Sequence, residues 1–393
     1  MRKRIRKSIL NSIILLVGIA VLSGCWDRKE VDKLGIVIGM GIDKIDGPEP
    51  ILITAQIVNS SAARREGGGG NVTPSIILES KGKSVSEAIK NFNKQSPRHL
   101  FYSHNKIVVI GEKMARSGVD EVMDYFERNM QFRRTWWVLV TPVTARELMT
   151  VPIEMQKYAA LGLKDILSHF QGTPHLKVTQ RKEFKRDLIS IAGEAAVTKI
   201  ELVPSQKKKV ISVTGSALFH KDKLAGYLDE ADSQALVWLR EKSTGGITET
   251  PCPSGDGTVN YLLINMKHHL TPVIENDKWS LHVTISGETA VCEDRCKTPL
   301  NFYEPGMLGE MERILNNRVE QQIKTAVNKM QQLHSDAGRF GDVFRRTYPT
   351  FWKQKKSEWE EGFPNMKLTV SAKVNIRLTG MTSNHLSADQ VNK

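Results

Sequence analysis

Apolar and polar positions change period several times along the chain, and each change marks an element. Leu34 to Ile42 (LGIVIGMGI) and Ile51 to Val58 (ILITAQIV) are dense apolar runs separated by Asp46-Gly47-Pro48, which predicts a long hairpin. A third strand is predicted at Ser75 to Ser80, after a glycine-rich loop at Arg64 to Asn71. Val85, Ala88, Ile89 and Phe92 then recur at i, i+3, i+4, i+7 behind a Ser84/Glu87 pair at capping-box spacing, so a helix is predicted with one face on a sheet. Lys106 to Ile110, a second helical stripe at Val119, Val122, Met123 and Phe126, and Thr135 to Thr141 continue the alternation. Strand, helix, strand, helix, strand requires crossover connections, and with them some parallel pairing.

Beyond Pro142 and Pro152 the pattern turns more helical and polar through about Glu201, and Val203 to Val210 (VPSQKKKV) reads as a linker with solvated lysines. A second strand-rich stretch opens at Val210 to His220, followed by a turn at Asp222 and a helix near Asp232 to Lys242. Tyr261 to Leu270 and Trp279 to Glu288 are predicted to pair antiparallel across Glu275-Asn276-Asp277. From Met307 to Leu333, apolar residues spaced by three and four predict the longest helix, packed on its own sheet. A last strand is predicted at Asn365 to Leu378. The fold class is therefore α+β and multidomain, with two to three domains of mixed sheets packed with helices. The expected divisions are 26–150, a mixed α/β domain; 151–209, a helical connecting region or middle domain; and 210–385, an α+β domain carrying the long helix.

The first 24 residues follow a different logic. Arg2, Lys3, Arg4, Arg6 and Lys7 make a basic start, and Ile9 to Leu22 is almost wholly apolar. That run is shorter than the roughly 20 residues a bilayer span needs, and it fits the apolar region of a signal peptide. Leu22-Ser23-Gly24-Cys25 has the form of a bacterial lipobox. Cleavage between Gly24 and Cys25, with a diacylglyceryl thioether on the Cys25 sulfur, would leave a stable anchor, because its two chains hold where one holds only marginally, and the new amino terminus is open to a further acyl group. Residues 1–24 are expected to be removed.

Composition adds two constraints. At 393 residues, 40% hydrophobic and 25% charged, the chain resembles an ordinary globular protein. Without the five basic residues of the leader, 51 basic residues face 43 acidic ones. That excess suits a surface near anionic headgroups, while export makes nucleic acid a poor partner. Of the remaining cysteines, Cys252 stands alone, and Cys292 and Cys296 form either a short-loop disulfide or two unpaired thiols. No second ligand pair completes a zinc motif, and the adjacent His268 and His269 would face opposite sides of a strand, so no metal is expected. The aromatic-rich stretch around Trp352 and Trp359 reads as core anchors among solvated lysines.

Catalytic patterns stop short of completion. Lys81-Gly82-Lys83-Ser84 lacks the earlier glycine of a phosphate loop, where Ile77 stands, and Gly39-Met40-Gly41 has Lys44 in place of the third dinucleotide-binding glycine. No HExxH or GxSxG occurs. Binding or assembly is expected rather than catalysis, with no catalytic residue and no cofactor apart from the covalent lipid.

Four stretches carry a resemblance across nearly the whole chain: GCWDRKEVDKLGIVIGMGIDK (Gly24 to Lys44), SHNKIVVIGEKMA (Ser103 to Ala115), GSALFHKDKLAGYL (Gly215 to Leu228) and DVFRRTYPTFWKQKKSEW (Asp342 to Trp359). Together they resemble the Ger(x)C family, the C subunits of spore germinant receptors, with the glycine insertion at Arg64 to Asn71 as a departure. The resemblance implies a three-domain α+β lipoprotein on the outer face of the spore inner membrane. There it would assemble with an integral-membrane A subunit and a transporter-like B subunit into a nutrient receptor. Cys25 is the one functional position carried over. The alternatives are a transporter's solute-binding lipoprotein, which would show two similar lobes around a cleft, and a cell-wall hydrolase.

Overall fold

The computed structural model describes residues 33–59, 75–153, 156–171, 175–190, 193–206 and 208–378, with positions 4–6 and 9. Gly24, Cys25 and the glycine loop at 64–71 lie outside the described residues. In chain order the elements are β1 (Leu34–Lys44), β2 (Ile51–Val58), β3 (Ser75–Gly82), α1 (Val85–Asn91), β4 (His99–Phe101), β5 (Ile107–Gly111), α2 (Glu112–Ser117), α3 (Asp120–Arg128), β6 (Trp137–Thr141), α4 (Ala145–Thr150), α5 (Ala159–Phe170) and α6 (Arg181–Leu188). They continue with β7 (Ala196–Ser205), β8 (Lys208–His220), β9 (Lys223–Leu228), α7 (Glu230–Arg240), β10 (Ile247–Pro251), β11 (Thr258–Glu275), β12 (Lys278–Asp294), α8 (Met307–Gln332), α9 (Phe340–Thr347), α10 (Pro349–Lys355), α11 (Trp359–Gly362) and β13 (Lys367–Leu378).

The first sheet has nine strands, eight of them in the order β3-β2-β1-β5-β6-β7-β8-β9, with β4 pairing parallel to the start of β1. Its centre, β1-β5-β6-β7, is parallel, and both wings are antiparallel. The predicted hairpin is β1-β2, in register from Lys44↔Ile51 to Gly39↔Gln56, with a bulge before Val37↔Ile57. Central strands are covered on both faces, which is why they read as unbroken apolar runs. Val108, Ile110, Val138 and Val140 point to the core under α1, α2 and α3, while Ile107, Val109 and Leu139 point to the core under α4 and α5. A Cβ at Gly39 would lie 2.5 Å from the Ala160 Cβ, so this glycine exists to let α5 close on β1. The Gly39-Met40-Gly41 pattern is a packing device.

The linker expected at Val203 to Val210 is instead the tip of a hairpin. Val203 pairs with Val210 and Ser205 with Lys208, across a turn where Gln206 adopts φ +51°. Ile200, Leu202, Ile211 and Val213 pack into the core under α5, and that burial overrides the polar tip. Residues 208–228 therefore extend the first sheet.

The second sheet runs β10-β11-β12-β13. The β11-β12 hairpin closes at Glu275↔Lys278 with both Asn276 and Asp277 at positive φ, the two-residue turn that suits strand twist. The register joins β13 parallel to β12, and α8 to α11 make the crossover. The seam read from the sequence is the buried stripe of α8: Met311, Leu315, Val319, Ile323, Ala326 and Met330.

The outer edge of β13 is closed by side chains of α8. Glu312, Asn316 and Glu320 accept the backbone N–H groups of Ile376 (2.8 Å), Val374 (2.8 Å) and Ala372 (3.0 Å). The spacings match because four helical residues rise about 6 Å while two strand residues advance about 6.6 Å. A strand edge that would otherwise template foreign pairing is thus satisfied internally.

Trp279 sits at the centre of an aromatic cluster, its ring centroid 5.0 Å from Phe344, 5.1 Å from Phe351 and 5.0 Å from Trp359. Trp352 and Trp359 are buried core anchors, as their spacing suggested, with Lys353 and Lys356 exposed. The same core includes Ala196, Leu218 and Leu228 of the first sheet, so the two sheets share one apolar body. No helix among the described residues is long and apolar enough to cross a membrane.

Candidate functional site at the junction of the sheets

Three polar clusters stand out among the described residues, and the first two position backbone. The first explains the Gly41-Ile42-Asp43-Lys44 motif. Asp43, buried at the end of β1, accepts the first two amides of α4, Ala145 N–H at 2.7 Å and Arg146 N–H at 2.8 Å. Thr144 caps the same helix by accepting Glu147 N–H at 3.1 Å. Burial pushes the Asp43 carboxyl above its ordinary range, and the two amides pull the other way. A Cβ at Gly111 would fall 2.0 Å from the Asp43 Oδ1, so glycine there keeps the carboxylate in place.

The second place joins the sheets. Asp336 is buried between α8 and α9, where it accepts Phe340 N–H and Gly341 N–H, both at 2.8 Å, and the Trp359 indole N–H at 3.2 Å. Burial pushes its carboxyl up to about 8, against the pull of those three donors. Nearby, Glu194 donates its amide to the Asp336 carbonyl at 2.9 Å, and its carboxylate lies 3.1 Å from His220 Nδ1. The Ser335 hydroxyl donates to the Phe219 carbonyl at 2.5 Å. On the other side, Glu360 meets Lys221 at 2.7 Å and His220 Nε2 at 3.3 Å. Burial also raises the Glu194 carboxyl, whereas the Lys221 hydrogen bond lowers that of Glu360.

The third place is the Asp187 carboxylate on α6, which is 2% exposed and therefore needs paired charge. Arg240 of α7 reaches it at 3.0 Å, Arg339 ahead of α9 at 2.7 Å, and Arg186 at 2.9 Å. Arg339 also binds Asp342, which pairs with Arg345 at 3.1 Å. Sequence reasoning missed the Asp187 pairs with Arg240 and Arg339 because these partners lie 53 and 152 positions along the chain, and it missed Asp336 as well. One local signal was available: Asp336 stands just before an apolar stripe at Phe340, Val343 and Phe344, as a helix cap should.

The cysteines correct an expectation. Cys296 is bonded to Cys252, not to Cys292, and Cys292 is a free, exposed thiol. Along β12, Val291 points inward and Cys292 outward, while Cys296, past the strand's end, folds back beside the end of β10. Alternation alone would put positions 292 and 296 on one face, so it is the chain's departure from β12 after Asp294 that carries Cys296 to Cys252 and leaves Cys292 on the exposed face. Cys252, Asp294 and Cys296 bring potential metal-ligating atoms within 4.8 Å of one another, but both sulfurs are already joined in the disulfide.

The architecture is two unlike sheets locked together by buried ion pairs and helix caps. Two family models match it end to end: "Spore germination protein N-terminal domain" at residues 27–202 and "Spore germination B3/ GerAC like, C-terminal" at 214–380. The chain belongs to the Ger(x)C family of spore germination proteins. It is 26% identical to spore germination protein KC of Bacillus subtilis (strain 168), over 97% of this chain and 98% of that one. It is 24% identical to spore germination protein B3 of the same strain, over 92% of this chain and 96% of the other. The crystal structure of the GerBC protein superposes with a TM-score of 0.53 at 20% identity, covering 86% of this chain and 96% of that one, which establishes the shared fold.

Proposed function

We propose that the chain is the lipid-anchored C subunit of a nutrient germinant receptor, required for the receptor to assemble or to signal the start of spore germination. The observation that carries this reading is the pair of family models, which run in order from residue 27 to residue 380 directly behind a lipobox. The subunit acts by binding rather than by catalysis. Anchored through Cys25 on the outer face of the spore inner membrane, it meets its integral-membrane A and B partners at a raised effective concentration, without any added contact. A solute-binding lipoprotein is disfavoured because its two lobes would be alike, whereas a nine-stranded sheet with a parallel centre here faces a four-stranded one.

The test is Cys25→Ala in sporulating cells, followed by membrane fractionation and a germination assay. Loss of the protein from the membrane fraction together with a lost nutrient response is expected. A variant that stays on the membrane and germinates normally refutes the anchoring role.

A further inference from the structure

The Asp187 cluster does not end in a closed network. It forms one wall of a pocket of about 470 Å³ bounded by α6, the end of α7, the middle of β11 and α9. Five guanidinium groups, on Arg186, Arg240, Arg339, Arg345 and Arg346, line this pocket, together with the Lys177 ammonium. Asp187 and Asp342 between them pair with four of the arginines. Glu241 pairs with Lys177, and the Glu183 carboxylate accepts Gln180 N–H at 3.2 Å at the start of α6. Six positive groups thus face four carboxylates, leaving an excess of two positive charges in a concave site.

That excess sits at the mouth. Arg346 donates its Nε–H to the Asp342 carbonyl at 3.2 Å and has no carboxylate partner among the described residues. Arg345 uses Nε and Nη2 on the Asp342 Oδ1 and keeps Nη1 for another acceptor. Both side chains belong to exposed residues at the end of α9, while the floor is fixed by the buried Arg240–Asp187 pair. A rigid base with free guanidinium edges at the rim is how proteins hold tetrahedral or planar oxyanions, because a guanidinium presents two parallel N–H groups to two oxygens. The volume lies within the range of small-ligand pockets, and it exceeds what a bare phosphate fills.

We infer that this pocket binds a phosphate ester, with Arg345 and Arg346 gripping the anionic phosphate oxygens of a monoester or a diester and the remaining volume taking the ester's organic part. Two sources share this chemistry, a soluble phosphorylated metabolite and the headgroup of an anionic phospholipid.

The experiment titrates the full-length chain in non-ionic detergent with glycerol 3-phosphate, with glycerol as control. In a second arm the chain is floated with phosphatidylglycerol vesicles and with phosphatidylcholine vesicles. Arg346→Gln breaks no ion pair, and Arg345→Gln/Arg346→Gln removes both free edges. Lys297→Gln/Lys353→Gln removes two exposed charges outside the pocket. Binding of glycerol 3-phosphate identifies the soluble source, and binding of phosphatidylglycerol vesicles alone identifies the lipid. In either case the double arginine variant should weaken binding at least tenfold, Arg346→Gln should weaken it less, and the lysine control should stay within about twofold. The inference is overturned if neither probe binds, or if the lysine control loses as much affinity as the arginine variant.

Discussion

Replacing Asn316 by Ala tests the strand clamp directly. The Asn316 side chain accepts Val374 N–H at 2.8 Å and donates to the Val374 carbonyl at 3.2 Å, and Val374 is fully buried. Truncation leaves one buried amide without an acceptor and removes one donor from a carbonyl. An orphaned buried donor costs about 1–3 kcal/mol, and the second bond contributes about 0.5–1.5 kcal/mol. A net loss of about 2 kcal/mol lowers the melting temperature by roughly 3 °C, since the two sheets share one core and a body of this size has an unfolding entropy of about 0.7 kcal/mol/K. Urea and thermal melts measure the loss. Amide hydrogen exchange localises it, because protection should fall at Val374 and at its neighbours Ala372 and Ile376. Asn316→Asp keeps the acceptor and should lose about half as much. Arg313→Ala, on the exposed face of the same helix, should stay within about 0.5 kcal/mol of the parent. If Asn316→Ala melts like Arg313→Ala with exchange at Val374 unchanged, the clamp does not bear the edge of the sheet.

Two further outcomes follow from the core. Cys252→Ser should destabilise the chain by about 4 kcal/mol, the chain-entropy value for a bridge spanning 44 residues, whereas Cys292→Ser should change nothing; non-reducing melts and peptide mapping check both. For pH, Asp336 ionises near 3.8 when unfolded but is held up to about 8 when folded. Between those values the native state keeps a proton that the unfolded state has released, so stability should fall as pH rises from 5 to 8. Glu194, also raised by burial, contributes with the same sign, and carboxylates held low by hydrogen bonds, Glu127 by Lys185 and Asp229 by the Asp232 amide and Lys329, act only in more acid solution. Urea melts at pH 5, 6.5 and 8 should show a shallower slope for Asp336→Asn, and an unchanged slope would remove Asp336 as its cause.

Much of the fold was legible because burial writes itself into local period. The β1-β2 hairpin, the α1 cap at Ser84 and the buried stripe of α8 each depend on residues within a few turns of one another. The tip at 203–210 was not legible, since its lysines and glutamine are polar and the apolar residues that pin it lie outside the stretch. The junction was less legible still. Asp187 and Arg339 meet across 152 positions, and an acid and a base at that distance look like any other surface charges until the fold brings them under cover. The disulfide failed for the opposite reason, because proximity in sequence suggested a partner, whereas the chain leaves β12 after Asp294 and carries Cys296 to Cys252 instead.

The gap between the two family models, residues 203–213, falls on the β7-β8 hairpin rather than between independent bodies. Splitting the gene there would give two polypeptides, each ending in a raw strand hungry for its former neighbour. An exchange of parts between relatives would keep both sheets whole only if its cut fell outside this hairpin.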